Sequence, residues 1–138
     1  MNLPQQKRRE SLFQLIYSFE MSDGPSQDSV AIAHTMEMFK VTKKLAYTLT
    51  EEAEKVWSAR AMLDQKIEAL ATEYPLKRIT KVELCVLRLL LWELSIEKSI
   101  PLEIAITEGR RLSKKFSHPE AAEFVVALLN ASVERGDV

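Results

Sequence analysis

The apolar residues of this chain recur with a helical period along its whole length, and this periodicity restricts the fold more than any other feature of the sequence. Spacings of three and four positions dominate, and no segment shows the alternation that is typical of a half-buried strand. At 138 residues the chain is long enough to bury a substantial core. The sequence therefore predicts an all-α protein, a bundle of about seven helices.

Turn residues and capping patterns predict where the helices begin and end. Asp23-Gly24-Pro25 ends the first helix, and Pro101 begins the helix that reaches Phe116. The other predicted helices cover about 28–39, two parts of 42–74 separated near 57–60, 80–95, and a last helix that opens at the Ser117–Glu120 capping box and ends before Gly136. The expected inward face of the second helix is Val30, Ala33, Met36 and Phe39.

Two capping boxes are predicted, Thr80–Glu83 and Ser117–Glu120. The helix that opens at Thr80 is apolar on nearly every face, which is typical of a helix in the centre of a fold. Arg88 within it then needs a carboxylate partner or a route to solvent. The sequence predicts one domain of residues 1–138. A weak boundary near Tyr74-Pro75 divides it into an N-terminal helical subdomain of about 1–75 and a C-terminal one of about 76–138.

Several classes of function are excluded by what the sequence lacks. Three separated glycines cannot form a phosphate-binding loop, and one cysteine cannot form an internal disulfide or a CxxC metal site. The longest apolar stretch is well short of the roughly 20 residues that a membrane span needs. His34 and Glu37 have the spacing of half a carboxylate-bridged metal site, but the second half is missing. We therefore expect no catalysis, no metal and no cofactor.

Basic residues cluster at three places. The first cluster, Lys7, Arg8 and Arg9, lies at the start of the first predicted helix, where the helix dipole disfavours positive charge. A phosphate group would bind both to these cations and to the free N–H groups of the helix end, so the sequence predicts nucleic-acid binding there despite a net charge of −1. The other clusters are Lys77, Arg78 and Lys81, and Arg110, Arg111, Lys114 and Lys115.

Four segments match the pattern of a known protein family in order and spacing. They are Arg9-Glu10 with Gln14 to Tyr17, Lys81 to Leu89 with Glu93-Leu94, Pro101 with Ile104 to Glu108, and Lys114-Lys115-Phe116 with Phe124-Val125. Together they extend over essentially the whole chain. The chain thus resembles the NusB family of bacterial transcription antitermination factors.

The resemblance implies one RNA-binding domain of two small helical bundles, without catalytic activity. NusB-like proteins bind a single-stranded boxA RNA element together with NusE, which is also a small-subunit ribosomal protein. This complex joins RNA polymerase to support transcription of ribosomal RNA operons. The resemblance also implies a cytoplasmic protein with no membrane contact. It assigns RNA contacts to Lys7, Arg8, Arg9, Lys114 and Phe116, and a partner contact to Glu83.

The chain differs from the family pattern near the last two helices, at Thr107, Gly109, Val126, Ala127 and Asn130. These differences and the near-neutral net charge leave open a diverged helical protein-interaction module or homodimer with weak or no RNA binding. The RNA-binding domain of ribosomal RNA cytosine methyltransferases also resembles NusB, but that assignment would require a truncated chain. A carboxylate-bridged metal enzyme would contain bound iron or manganese.

Overall fold

The computed structural model describes residues 3–71 and 79–134. These ranges contain seven α-helices and no strand, so the predicted all-α fold class is confirmed. The helices are α1 (Gln5–Met21), α2 (Ser29–Phe39), α3 (Lys43–Ser58), α4 (Arg60–Leu70), α5 (Lys81–Leu91), α6 (Leu102–Phe116) and α7 (Pro119–Glu134). A π-helical segment, Trp92–Glu97, follows α5 directly. The chain divides into two compact units, Met1–Ser58 and Ala59–Val138.

The core of the first unit lies between α1, α2 and α3. α3 packs against both of the other helices. Leu12 and Ile16 of α1 are fully buried. Phe19 meets Trp57 of α3 edge to face, with ring centroids 6.1 Å apart, a geometry that aromatic pairs favour. Hydrophobic burial between the three helices therefore fixes the position of α1 on α3.

α1 ends at the turn that the sequence predicts. Asp23 and Gly24 have positive φ angles of 64° and 113°. Glycine adopts this region without the steric cost that a side chain would add. The N–H group of Gly24 donates to the carbonyl oxygen of Phe19 at 2.9 Å, so the turn satisfies one of the last carbonyls of the helix.

The N-terminus of α2 is capped by Asp28. Its carboxylate accepts a hydrogen bond from the N–H group of Ala31 at 2.8 Å. This bond, together with one from the Ser26 hydroxyl, lowers the pKa of Asp28 below its usual value. The stabilising effect of the carboxylate is therefore present at neutral pH and is lost as the pH falls through the lowered pKa of the folded state.

The predicted inward face of α2 is only partly correct: Phe39 is buried as expected and Met36 is half-buried. The buried residues are Ile32, Thr35 and Phe39, whereas Val30 is 77% exposed and Ala33 is exposed. Thr35 can be buried because its hydroxyl donates to the carbonyl oxygen of Ala31 at 3.0 Å. A pattern of apolar residues alone cannot predict the burial of a polar residue such as Thr35, whose hydroxyl forms its hydrogen bond with the helix backbone.

The described part of the stretch 42–74, residues 42–71, forms two helices with a break, as predicted. α3 ends at Ser58 and α4 begins at Arg60, with Ala59 between them. The expected subdomain of about 1–75 would include α4, but the contacts place α4 in the second unit. The reason is that α4 packs against α5 and α7 and buries Leu63 and Ile67. Outside the described residues lie Tyr74, Pro75, Lys77, Arg78 and Gly136.

α5 is the central helix of the second unit, as its apolar sequence predicts. Every residue from Leu84 to Leu91 is buried, and α5 contacts α4, α6 and α7. Arg88 is only 4% exposed and finds the carboxylate that the sequence requires, on Asp64 of α4. Its Nε and Nη2 atoms donate to the two carboxylate oxygens, both at 2.8 Å. This bidentate pair joins α4 to α5.

The predicted helix over 80–95 extends to Glu97, but its last six residues wind as a π-helix. Trp92, Glu93 and Leu94 remain buried in this segment. Lys98 then adopts a left-handed conformation with φ of 55°, and the N–H group of Ser99 donates to the Glu93 carbonyl at 3.0 Å. The segment therefore ends sharply before Pro101.

Gly109 allows α6 and α7 to approach closely. A Cβ atom at this position would lie 3.1 Å from side-chain atoms of both Leu129 and Val125, and 3.2 Å from Leu90. These distances are shorter than ordinary van der Waals contact between carbon atoms. The helix pair thus depends on the missing side chain.

The two predicted capping boxes have different outcomes. The Thr80 hydroxyl accepts a hydrogen bond from the Glu83 N–H group at 3.2 Å, as predicted. At α7 the prediction is one residue too early, because Pro119 is the first helical residue and His118 is the cap. Nδ1 of His118 accepts from the N–H group of Ala121 at 3.3 Å.

Across residues 3–71 and 79–134, each helix is too short or too polar to cross a membrane.

Candidate nucleic-acid interface

The start of α1 has the properties of an anion-binding helix end. Within the described residues, α1 begins with neither an acidic residue in its first turn nor a side-chain cap, and its N-cap is Pro4. The first N–H groups of a helix have no acceptor within the helix, and they carry the positive end of its dipole. Lys7 is exposed in this first turn. The local field therefore favours a negatively charged ligand.

Arg8 is partly exposed and is already paired. Its Nη2 atom forms an ion pair with Oε2 of Glu52 on α3, and its Nη1 atom donates to Oε1 of Gln5 at 3.5 Å. The packing of α1 against α3 brings these residues together. The charge of Arg8 is thus partly neutralised within the first unit.

Arg9 is buried, with 3% of its surface exposed. The sequence predicted one cationic surface from Lys7, Arg8 and Arg9, but successive residues of a helix are rotated by about 100° around its axis. Three consecutive side chains span about 200° of the helix circumference, and in α1 the third of these cations turns toward the core. Arg9 occupies an inward position, as do Ser11 and Leu12, two and three positions later in α1.

Lys114 and Phe116 lie in the last turn of α6, in the second unit. Lys114 is exposed and Phe116 is half-buried. The ammonium of Lys115 lies 5.7 Å from the centroid of the Phe116 ring, within the range of a cation–π contact. Both lysines also oppose the negative end of the helix dipole. A cationic group and an aromatic ring are thus adjacent at this helix end.

The basic cluster on α6 is partly neutralised by glutamates of the second unit. Arg111 forms two hydrogen bonds with the buried carboxylate of Glu108, at 2.5 and 3.0 Å. Arg110 lies 4.0 Å from Glu123 of α7. Lys81 of the remaining cluster is exposed at the start of α5. The cluster on α6 therefore presents less free charge than its sequence indicates.

Glu83 is half-buried in the first turn of α5 and lines a cavity of about 280 Å³ in the second unit. The other described residues that line it are Ile79, Thr80, His118, Glu120, Ala121 and Phe124. The N-termini of α5 and α7 meet here, which no local pattern of the sequence could show. Two carboxylates disfavour a phosphate, so the cavity suits an apolar or cationic group beside the ring of Phe124.

The described residues show no group of three or more histidine, cysteine or acidic side chains that could hold a metal ion. His34 and Glu37, the pair with metal-site spacing, are both exposed on α2. Cys85 is buried in α5. The predicted site residues thus fall into two groups: Lys7, Arg8 and Arg9 belong to the first unit, and Glu83, Lys114 and Phe116 belong to the second.

Comparison with known proteins gives a consistent result. A family model described as the NusB family matches residues 6–134. A "Transcription antitermination protein NusB" from Ruminiclostridium cellulolyticum is 30% identical over 130 residues, which is 94% of this chain and 88% of the relative. A protein of the same name from Chlamydia pneumoniae is 32% identical over 127 residues, 92% of this chain and 78% of the relative.

The fold is also similar to a solved structure. NusB from T. maritima superimposes with a TM-score of 0.74 at 23% sequence identity, and the match covers 100% of both chains. At this level of identity the match concerns the fold. It supports the all-α assignment of the residues that the structure describes.

Proposed function

Because the chain belongs to the NusB family of transcription antitermination factors, we propose that it binds single-stranded boxA RNA together with NusE. This complex would join RNA polymerase and support transcription of ribosomal RNA operons. In this role the protein is an adaptor without catalytic activity that works in the bacterial cytoplasm. It needs no cofactor, metal ion or membrane.

The observation that carries the RNA part of the proposal is the exposed Lys7 at the uncapped start of α1. A cation at this helix end is unfavourable for the isolated helix, whereas a bound phosphate would be stabilised by the lysine, the dipole and the first N–H groups together. Arg8 lies beside it and contributes once its guanidinium is available. Arg9 is buried, so its proposed role is to hold the start of α1 in position rather than to contact the phosphate directly.

Lys114 and Phe116 are proposed as a second RNA contact. Single-stranded RNA is recognised through unstacked bases, which stack on aromatic rings, and through phosphates, which bind cations. The exposed Lys114 and the half-buried ring of Phe116 provide one group of each kind.

Glu83 is proposed as the contact with NusE. Its cavity combines the carboxylates of Glu83 and Glu120 with the apolar surface of Ile79 and Phe124. A basic residue of a partner protein with apolar neighbours would fit this chemistry, whereas an RNA phosphate would be repelled by the carboxylates.

The proposal is tested by fluorescence anisotropy of a labelled boxA-type RNA, with this protein alone and with purified NusE, over a series of salt concentrations. We expect RNA binding that NusE strengthens and that added salt weakens. Absence of RNA binding in both conditions would overturn the proposed function, even if NusE were still captured.

Substitution of Lys7 locates the RNA on the protein. We expect Lys7→Ala to weaken RNA binding and to make the slope of log K against log salt shallower by about 0.7, the value for one phosphate of a single strand. Lys43→Ala is the matched control, because Lys43 is also an exposed lysine in the first turn of a helix. Equal effects of the two substitutions would remove Lys7 from the RNA site.

A protein-interaction module or homodimer without an RNA role is the second candidate. The burial of Arg9 and the pairing of Arg8 favour it, because they reduce the cationic surface of α1. Sedimentation with and without boxA RNA separates the two candidates. A dimer whose mass is unchanged by RNA would support this second one.

A further inference from the structure

We propose that Glu52 competes with RNA for Arg8, so that a carboxylate of α3 lowers the RNA affinity of the α1 helix end. This inference rests on the proposed function, since it concerns the same RNA site. The added residue, Glu52, lies 44 positions from Arg8 in the sequence and carries the opposite charge.

The geometry of the pair supports competition. Arg8 Nη2 donates to Glu52 Oε2, and Arg8 Nη1 contacts Gln5. A phosphate accepts hydrogen bonds from the same fork of guanidinium N–H groups as a carboxylate does. The two anions therefore require the same donors, and RNA gains the full charge of Arg8 only when Glu52 gives up its contact.

The burial of the pair makes the competition measurable. The side chain of Arg8 is 19% exposed and that of Glu52 is 25% exposed. Attraction between charges is stronger at this depth than between fully exposed side chains, where salt and water screen it. Both groups still reach solvent, so a phosphate can approach Arg8 without unfolding the helices.

The acidic residues beside Glu52 have different contacts. Glu51 is exposed on α3, and Glu54 accepts a hydrogen bond from Gln27 Nε2 at 2.7 Å. Of these three glutamates, Glu52 is the one that forms an ion pair with Arg8. The cluster Glu51, Glu52 and Glu54, which looks like a uniform acidic helix face in the sequence, thus provides both the test position and its control.

The test compares Glu52→Gln with Glu51→Gln in the anisotropy titration of boxA-type RNA, with NusE present. Both substitutions remove one negative charge from adjacent positions of α3, but only Glu52→Gln removes the carboxylate that pairs with Arg8. We expect Glu52→Gln to tighten RNA binding by about two- to fivefold and to steepen the salt slope by up to about 0.7. Glu51→Gln should change the affinity by less than about 1.5-fold, because its charge is screened.

A double substitution isolates the Arg8 contact. In an Arg8→Gln background, Glu52→Gln and Glu51→Gln should have equal effects, because the guanidinium that pairs with Glu52 has been removed. Circular dichroism checks that each variant keeps its helical content.

The outcomes separate this inference from the proposed function. If wild type binds RNA but the two single variants change affinity equally, or if Glu52→Gln weakens binding, the inference is overturned and the proposed function stands. A larger gain for Glu52→Gln that persists without Arg8 would also overturn it. If wild type and both variants all fail to bind RNA, the proposed function and the inference are both overturned.

Discussion

Arg9 shows how one residue of a basic run can have a structural role. Its side chain is buried although both of its cationic neighbours in the sequence reach solvent to some degree. We expect Arg9→Ala to lower the free energy of unfolding by about 1–3 kcal/mol, because a long buried side chain and its contacts are lost. Urea unfolding followed by circular dichroism measures this change.

The same variant should leave the salt slope of RNA binding unchanged, in contrast to Lys7→Ala. A variant as stable as wild type, with a slope shallower by about 0.7, would place Arg9 on the RNA instead.

Two buried serines provide a matched pair at the residue scale. Ser113 and Ser132 are both 0% exposed, but Ser132 donates to the Leu129 carbonyl at 2.7 Å, whereas the Ser113 hydroxyl has no hydrogen-bond partner among the described residues. An unsatisfied buried hydroxyl costs about 1–3 kcal/mol. We expect Ser113→Ala to raise the free energy of unfolding by about 1 kcal/mol and Ser132→Ala to lower it by a similar amount. Equal shifts in thermal unfolding would contradict this difference.

At the scale of the elements, the contact of α6 with α7 depends on Gly109. Alanine favours a helix over glycine by up to about 1 kcal/mol, but a Cβ atom here would meet three side chains at 3.1–3.2 Å. Since the site is buried on all sides, we expect the crowding to prevail and Gly109→Ala to cost about 1 kcal/mol net. Urea unfolding measures it.

Thr107→Ala is the control for this substitution, because Thr107 is exposed on the same helix. It should be nearly neutral. If Gly109→Ala were more stable than wild type, the three neighbouring side chains would have to move aside without loss of packing.

Helix positions were predictable from the sequence, whereas one helix face was not. Local chemistry determines helix ends, and for this reason the turn at Gly24, the break near Ala59 and the cap at Thr80 were predicted correctly. The inward face of α2 depends on Thr35, whose hydroxyl satisfies itself on the backbone. Apolar periodicity treats such a residue as polar and so predicts only part of the buried face correctly.

The candidate site was predictable only as a segment. The sequence identifies the basic run at the start of α1, but the separate environments of Lys7, Arg8 and Arg9 depend on the rotation of the helix and on Glu52 of α3. The cavity beside Glu83 likewise needs the meeting of two helix ends. Contacts between residues distant in sequence decide both.

At the scale of the whole molecule, each compact unit contains one tryptophan, Trp57 in the first and Trp92 in the second. We expect Asp64→Ala to destabilise the second unit by about 2–4 kcal/mol, because the buried Arg88 loses its bidentate partner. In a Trp57→Phe background, unfolding in urea followed by Trp92 fluorescence measures this shift.

Glu68→Ala is the matched control, since Glu68 is an exposed acid one turn after Asp64 on α4. It should change the free energy of unfolding of the second unit by less than about 0.5 kcal/mol. Equal midpoints for the two variants would show that the ion pair contributes nothing to the second unit.

The π-helical segment Trp92–Glu97 has a consequence for the length of the chain. A π turn bonds residue i to i+5 and so contains one residue more than an α turn. This stretch therefore contains one residue more than an α-helix would need between the buried α5 and Pro101. A deletion within it can be absorbed by rewinding into an ordinary α-helix, whereas the same deletion in α5 would rotate every later side chain by about 100°.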